Sequence, residues 1–227
     1  MNPGTGGRYK PFFIKSTGKS NAMDTAASLF QTSWQRTWQA LRLTPPADLL
    51  QRLLAAWAEP QRHYHTQQHL AECLGQLDCV WAQAQRPGEV AVALWFHDAV
   101  YDIKASDNEL RSADWAAQAL QDSGAPEACW RRVHELIMAT CHTATPTQAD
   151  ARLLVDIDLA ILGADPVRFT EYDRQVAAEY AWVPPLVYGF KRKQVLRGFL
   201  DQAFIYATPH FRQLLEARAR SNLRRIT

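Results

Sequence analysis

Apolar residues along this chain recur at three- and four-residue intervals, and strict alternation is scarce, so the pattern predicts helices and no sheet. Within Ala27–Leu43, Phe30, Trp34, Trp38 and Leu41 form one apolar stripe. Thr44-Pro45 reads as a helix start, followed by Leu49, Leu50, Leu53, Leu54 and Trp57, with Pro60 as the stop. Tyr64-His65-Thr66-Gln67-Gln68-His69 opens a third helix that runs to about Gln85 and breaks at Pro87-Gly88. The uninterrupted run Val90–Phe96 predicts a helix buried on every side. Ser106–Glu109 has capping-box spacing for a helix through Leu120. Later helices are expected to end near Cys141, to span Asp150–Leu162 before Gly163, and to run from Asp165-Pro166 to about Trp182. Two long helices finish the chain, the second starting at Thr208-Pro209. The expectation is a single all-α domain over 24–227, a bundle of roughly nine or ten helices.

Composition adds limits. With 227 residues, 47% hydrophobic and 21% charged, the chain can bury one sizeable core as an ordinary globular protein. A net charge of +2 selects no class of partner. Between Val187 and Thr227, however, nine basic residues stand against two acidic ones. That excess reads either as a solvated helical face or as attraction for an anionic substrate such as a phosphate ester. It does not form the basic stripe with interleaved aromatics of a nucleic-acid reader. No run nears the roughly 18 apolar residues of a membrane span. The four cysteines have no C-x-x-C spacing and fit reduced thiols of a cytoplasmic protein. Residues 1–23 read as a flexible leader, with Ser20-Asn21-Ala22 before Met23 resembling a vector-derived scar.

The candidate chemistry sits on histidines and aspartates. On a helix, His65 and His69 would share a face. His97-Asp98 ends the buried run, where polar groups need partners. Imidazole and carboxylate donors converging in an apolar setting suit a divalent metal ion. A further carboxylate is expected from Leu153–Leu162, which holds Asp156 and Asp158 within an apolar helix. Periodicity favours Asp158 as the inward one and leaves Asp156 exposed beside Arg152.

This H…HD…D pattern in an all-α chain resembles the HD-domain superfamily of metal-dependent phosphohydrolases. Tyr64–His69 is similar to the Y-H-x-x-x-H element of cyclic-nucleotide phosphodiesterases. The wider chain resembles an uncharacterised bacterial group of predicted HD phosphohydrolases across Arg62–His69, Trp95–Asp102, Asn108–Ala113, Asp158–Gly163 and Tyr188–Leu223. The resemblance implies an HD-type helical bundle with His69, His97, Asp98 and Asp158 as metal ligands and His65 as proton donor. It decides for Asp158 over Asp156, because Ile157-Asp158-Leu159 is similar to the family's last-ligand context.

The implied activity is hydrolysis of a phosphoester of a nucleotide or small phosphorylated metabolite. The ion would be Mn, Fe, Co, Ni, Zn or Mg, and Asp98 with its two oxygens would bridge to a second one. Asp102 stands where related hydrolases carry an acidic residue, either catalytic or an ordinary loop aspartate. His142 is a candidate substrate or second-metal contact, and Arg192, Lys193 and Arg197 are candidate phosphate holders. Glu109 is explained by its capping box, His63 is a candidate support for the ligands, and His134 and His210 read as ordinary residues. The rival readings are a non-catalytic metal- or nucleotide-binding sensor on the same scaffold, and a nucleic-acid-processing protein using the basic C-terminal helices.

Overall fold

The computed structural model describes the backbone of residues 19–142 and 144–227, with side chains from residue 27 onward. The described residues form ten α-helices and three short 3-10 turns, with no strand. The helices are α1 (Lys19–Leu41), α2 (Leu49–Ala56), α3 (Gln67–Val80), α4 (Pro87–Phe96), α5 (Asn108–Asp122), α6 (Glu127–Met138), α7 (Ala149–Asp158), α8 (Pro166–Glu179), α9 (Pro185–Asp201) and α10 (Pro209–Arg224). The leader expected over 1–23 lies largely outside the described residues, and α1 begins at Lys19. None of the described helices is long and apolar enough to cross a membrane.

Helix α4 is the axis. Pro87 fixes its first turn, Glu89 complements its N-terminal dipole, and every residue from Gly88 to Phe96 is buried. It packs against α1, α3, α5, α6 and α7. Trp95 meets Phe30 and Trp34 of α1, with ring centroids 5.7 and 5.1 Å away. Trp57 is fully buried and donates its indole N–H to the Trp95 carbonyl at 3.0 Å. Each such side chain contributes about 1.5–3 kcal/mol by leaving water. Glu89 of α4 accepts two hydrogen bonds from Arg132 of α6 at 2.6 and 2.7 Å, which satisfies a charge that burial would otherwise penalise.

Two further locks position the later helices. Asp165 caps α8 by accepting the N–H groups of Val167 and Arg168, both at 3.1 Å. Arg168 then forks onto buried Glu72 of α3 at 2.8 and 3.0 Å. Asp156 of α7 accepts the N–H groups of Ala207 and Thr208 and the Thr208 hydroxyl, all at 2.6–2.7 Å, so it anchors the segment that leads into α10.

Some local expectations need correcting. The α2 helix starts at Leu49, because Pro45-Pro46 with Ala47 and Asp48 forms a turn ahead of it. The Ser106–Glu109 capping box does not form: Asp107 is the N-cap and makes no side-chain cap bond. Asn108 instead exchanges hydrogen bonds with the Asp102 backbone at 2.8 and 2.9 Å. Asp156 is 1% exposed and unpaired with Arg152, which turns to the Pro146 carbonyl.

Candidate metal centre

His65 stands outside the helix it was expected to start. Thr66 is the N-cap of α3, accepting the Gln68 N–H, so His65 lies in the irregular segment before it. His69 is in the first turn of α3, and Cys73 follows one turn later. His97 is the C-cap of α4, where a 2.8 Å bond from the Ala99 N–H to the Phe96 carbonyl turns the chain. Asp158 ends α7. Four chain segments therefore deliver their side chains to one point beneath Trp57, whose ring centroid is 5.3 Å from that of His97 and 6.1 Å from that of His69.

The donor atoms are close. His69 Nε2 is 3.2 Å from His97 Nε2 and 3.2 Å from Asp158 Oδ1. His97 Nε2 is 3.1 Å from Asp98 Oδ2 and 3.6 Å from Asp158 Oδ1. His69 Nε2 and Asp98 Oδ2 are 3.8 Å apart. His97 Nδ1 donates to the Leu94 carbonyl at 2.9 Å. A carbonyl only accepts, so in the neutral ring the lone pair is on Nε2, facing the cluster. The buried group His69, Cys73, His97 and Asp158, whose ligand atoms lie within 4.8 Å of one another, is able to hold a metal ion.

The charges favour a cation. Burial alone would raise both carboxyls, but His97 and His65 hold Asp98 below the ordinary range, and hydrogen bonds from His142, His69 and His97 hold Asp158 well below it. Burial alone would lower His97, yet Asp98 and Asp158 outweigh it and push the ring well above the usual histidine value. The group is thus an anionic pocket that gathers positive charge. Cys73 Sγ lies 3.7 and 3.8 Å from the two nitrogens of His69, beside the ring rather than along one lone pair. Burial, reinforced by Asp158, Glu72 and Asp98, keeps its thiol protonated.

Around this core sits a positioning apparatus. Glu179, the last residue of α8, accepts the backbone N–H groups of His63, Tyr64 and His65 on Oε1 at 2.8, 2.7 and 3.0 Å. Its Oε2 takes His65 Nδ1 at 2.8 Å and the Tyr101 hydroxyl at 3.0 Å. These bonds outweigh burial and lower its pKa to about 2. His65 Nε2 is left 4.0 Å from Asp98 Oδ2. Burial would lower the His65 pKa, but Asp98 and Glu179 raise it overall. Arg62 ties the two motifs together, donating to the carbonyls of His65, Asp98 and Ala99 at 3.1, 2.7 and 3.0 Å. His142, in a left-handed conformation at φ 52°, reaches Asp158 Oδ2 at 3.1 Å.

The structure thus brings His65, His69, His97, Asp98, Asp158 and His142 together. Asp102 stays apart: it is exposed, and its carboxylate accepts the Lys104 N–H at 2.9 Å. Arg192 pairs with Asp173 at 3.3 Å, Lys193 is exposed, and Arg197 donates to the Thr227 carbonyl at 2.8 Å. His63 is exposed and contributes only its N–H. His134 pairs with Asp114 at the surface. Part of the basic tail is spent inside the fold, while Lys191, Lys193, Arg224 and Arg225 stay exposed. Arg212 binds the Tyr206 and Ala207 carbonyls, Arg218 that of Gly163, and Arg220 those of Leu200, Gln202 and Ala203. Glu179, Arg62 and Cys73 were not anticipated. Arg62 stood inside a quoted motif, whereas Glu179 carries no sequence signal at all.

Two cavities flank the centre. One of about 410 Å³ has His65 in its wall, and one of about 710 Å³ has His142 in its wall. In comparisons with known proteins, no family model, curated protein or solved structure matches the chain.

Proposed function

We propose that this chain is a metal-dependent phosphohydrolase of the HD type, acting on a nucleotide or small phosphorylated metabolite. The observation that carries the reading is the spacing of the donor atoms. Atoms sharing one ion at about 2.0–2.2 Å stand roughly 3–3.5 Å apart for octahedral to tetrahedral angles. The His69–His97, His69–Asp158 and His97–Asp98 separations are 3.2, 3.2 and 3.1 Å. His69, His97, Asp98 and Asp158 would hold the ion, and Cys73 would remain a neutral neighbour of His69. When bound, the ion supplies positive charge to the phosphoryl oxygens and acidifies a water.

The chain's own residues do the rest. Glu179 holds the Nδ1–H of His65, so its Nε2 carries the mobile proton toward the leaving oxygen. Tyr101 shares that carboxylate and fixes its orientation. His142 donates to Asp158 and holds the aspartate's second oxygen away from the donors. Arg192 lines the cavity on the His65 side, where a phosphate oxygen would meet it, while Lys193 and Arg197 are not among the walls of that cavity. Arg212, Arg218 and Arg220 are spent on carbonyls of the fold, which weighs against a nucleic-acid surface built on them.

The test is direct. Chelator-stripped protein is reloaded with each of Mn, Fe, Co, Ni, Zn and Mg and assayed on a panel of phosphoesters. Stoichiometric uptake with metal-dependent turnover is expected. Uptake without turnover on any ester would favour the sensor reading, and absence of uptake would remove the site.

A further inference from the structure

Helix α9 turns outward side chains that a helix packed on a protein body ordinarily buries. Leu186 is 90% exposed, Phe190 69% and Val187 50%, and Trp182, in the turn that leads into the helix, is 53% exposed. Within the helix only Leu196 is buried. Single exposed apolar residues need no explanation, whereas a cluster of large ones at one end of a helix marks a surface that meets something else. Spacing puts three of the four on one face, since Leu186, Val187 and Phe190 are separated by three and four residues. Further along, the same face changes character. Lys193 follows Leu186 by seven residues, Arg197 follows Phe190 by seven, and Lys191 follows Val187 by four. All three cations are exposed. No acidic residue occurs between Trp182 and Leu200, and no carboxylate in the first turn offsets the positive end of the helix dipole. Arg192 lies on the inner side of the helix and is already paired with Asp173 at 3.3 Å.

This arrangement selects among occupants. A second copy of the chain, docked about a two-fold axis, would set these cations against their own counterparts with no carboxylate of α9 to meet them. A helix that fills a groove on a partner carries its apolar residues as a stripe along several turns. Here they are confined to the first two turns of α9 and to Trp182 ahead of it. An apolar end built from Trp, Leu, Val and Phe, followed by a collar of Lys and Arg, matches the depth profile of a bilayer surface. Apolar side chains reach the acyl boundary there, Trp settles at the interface, and cations lie level with anionic headgroups.

We propose that the exposed face of α9 docks this chain on an anionic lipid surface, with Trp182, Leu186, Val187 and Phe190 entering the interface and Lys191, Lys193 and Arg197 meeting the headgroups. The contact is peripheral, since none of the described helices is long and apolar enough to cross a membrane. It depends neither on the metal centre nor on the phosphohydrolase reading. Trp182 and Lys191 also line the 410 Å³ cavity, so the docked chain holds that cavity beside the headgroup layer.

Co-sedimentation of the full chain with vesicles tests the proposal. One set of vesicles is phosphatidylcholine alone, and the other is phosphatidylcholine and phosphatidylserine mixed two to one. Binding to the mixed vesicles is expected, weakening as salt rises, with far less binding to phosphatidylcholine alone. Phe190→Ala should lower the partition coefficient about tenfold, the loss of one apolar side chain from the interface. Lys193→Gln should lower it about fivefold, the loss of one cation near the surface. Both side chains are exposed, so a loss of binding in either variant is not a loss of fold, which circular dichroism checks. Absence of binding to the mixed vesicles would overturn the proposal, and equal binding to both sets would do the same. Binding that neither substitution weakens would place the contact elsewhere on the chain and overturn it as well. A dimer in lipid-free solution that Phe190→Ala dissociates would assign the face to a second copy instead.

Discussion

Helix α4 and helix α9 are both walls of the functional region, and they are built in opposite ways. All of α4 from Gly88 to Phe96 is buried, and it touches five other helices. In α9 only Leu196 is buried, its main packing is against α10, and Leu186, Val187, Phe190 and Val195 are 50–90% exposed. The first helix delivers His97 and Asp98, and the second delivers Tyr188 and Lys191 to the cavity wall. Donor atoms that must stay within a few tenths of an ångström belong on an element that cannot move without unfolding the core. A wall that admits and releases a ligand is drawn from the less stable part of the fold.

That contrast is breakable, and the largest effect should come from its rigid side. His97→Ala is expected to abolish stoichiometric metal uptake and all metal-dependent turnover, read by metal analysis of the purified protein. Wild-type metal content in a folded variant would refute the site. Next in size, His65→Ala should keep the metal and slow alkyl phosphoester hydrolysis by about 10²–10⁴, with much less effect on a p-nitrophenyl ester that leaves without a proton. Equal losses on both esters would make His65 structural.

Stability should follow the same divide. Trp95→Ala is expected to cost about 3–5 kcal/mol in denaturant unfolding, as a large cavity would open against Phe30 and Trp34. Glu179 comes next. Its pKa in the folded chain is about 2, below the ordinary 4.5, so its stabilisation is complete above the unfolded value and lost as pH falls through the folded one. Glu179→Gln should therefore remove about 2–3 kcal/mol at neutral pH and flatten the acid limb of a stability–pH curve between about 4.5 and 2. An unchanged acid limb would deny the carboxylate that role. The smallest effect is reserved for α9: Phe190→Ala, at 69% exposure, should change stability by less than about 0.5 kcal/mol. A loss comparable to that of Trp95→Ala would erase the distinction between the two helices.

The same divide explains what could be read from the chain. The apolar run Val90–Phe96 and the Pro-marked starts of α8 and α10 depend on local preferences, and all three elements occur where the sequence placed them. That His69, His97, Asp98 and Asp158 would lie close together was legible because their motifs are short and their helices firmly patterned. Periodicity misjudged Asp156. The α7 helix ends at Asp158 and tightens into a 3-10 turn, so the face count fails there, and Asp156 is buried where it holds Ala207 and Thr208 ahead of α10. The helical argument for His65 failed for a related reason. Thr66 begins the helix one residue too late to include His65, which reaches the centre through Glu179 instead of through helical spacing. Glu179 was invisible because its partners are mostly backbone N–H groups, which every residue but proline possesses.

Glu179 also imposes an order in time. It lies 114 positions after His65, whose N–H and ring both depend on it. At about 5–20 residues per second, a ribosome needs roughly 6–20 s to travel from one to the other. Once His97 has been added, the nascent chain carries both histidine motifs, yet three backbone N–H groups and one imidazole lack the acceptor that orients them. The His65 ring is therefore oriented last, and a chain interrupted before α8 is complete would carry the side chains from α3, α4 and α7 without a fixed imidazole beside them.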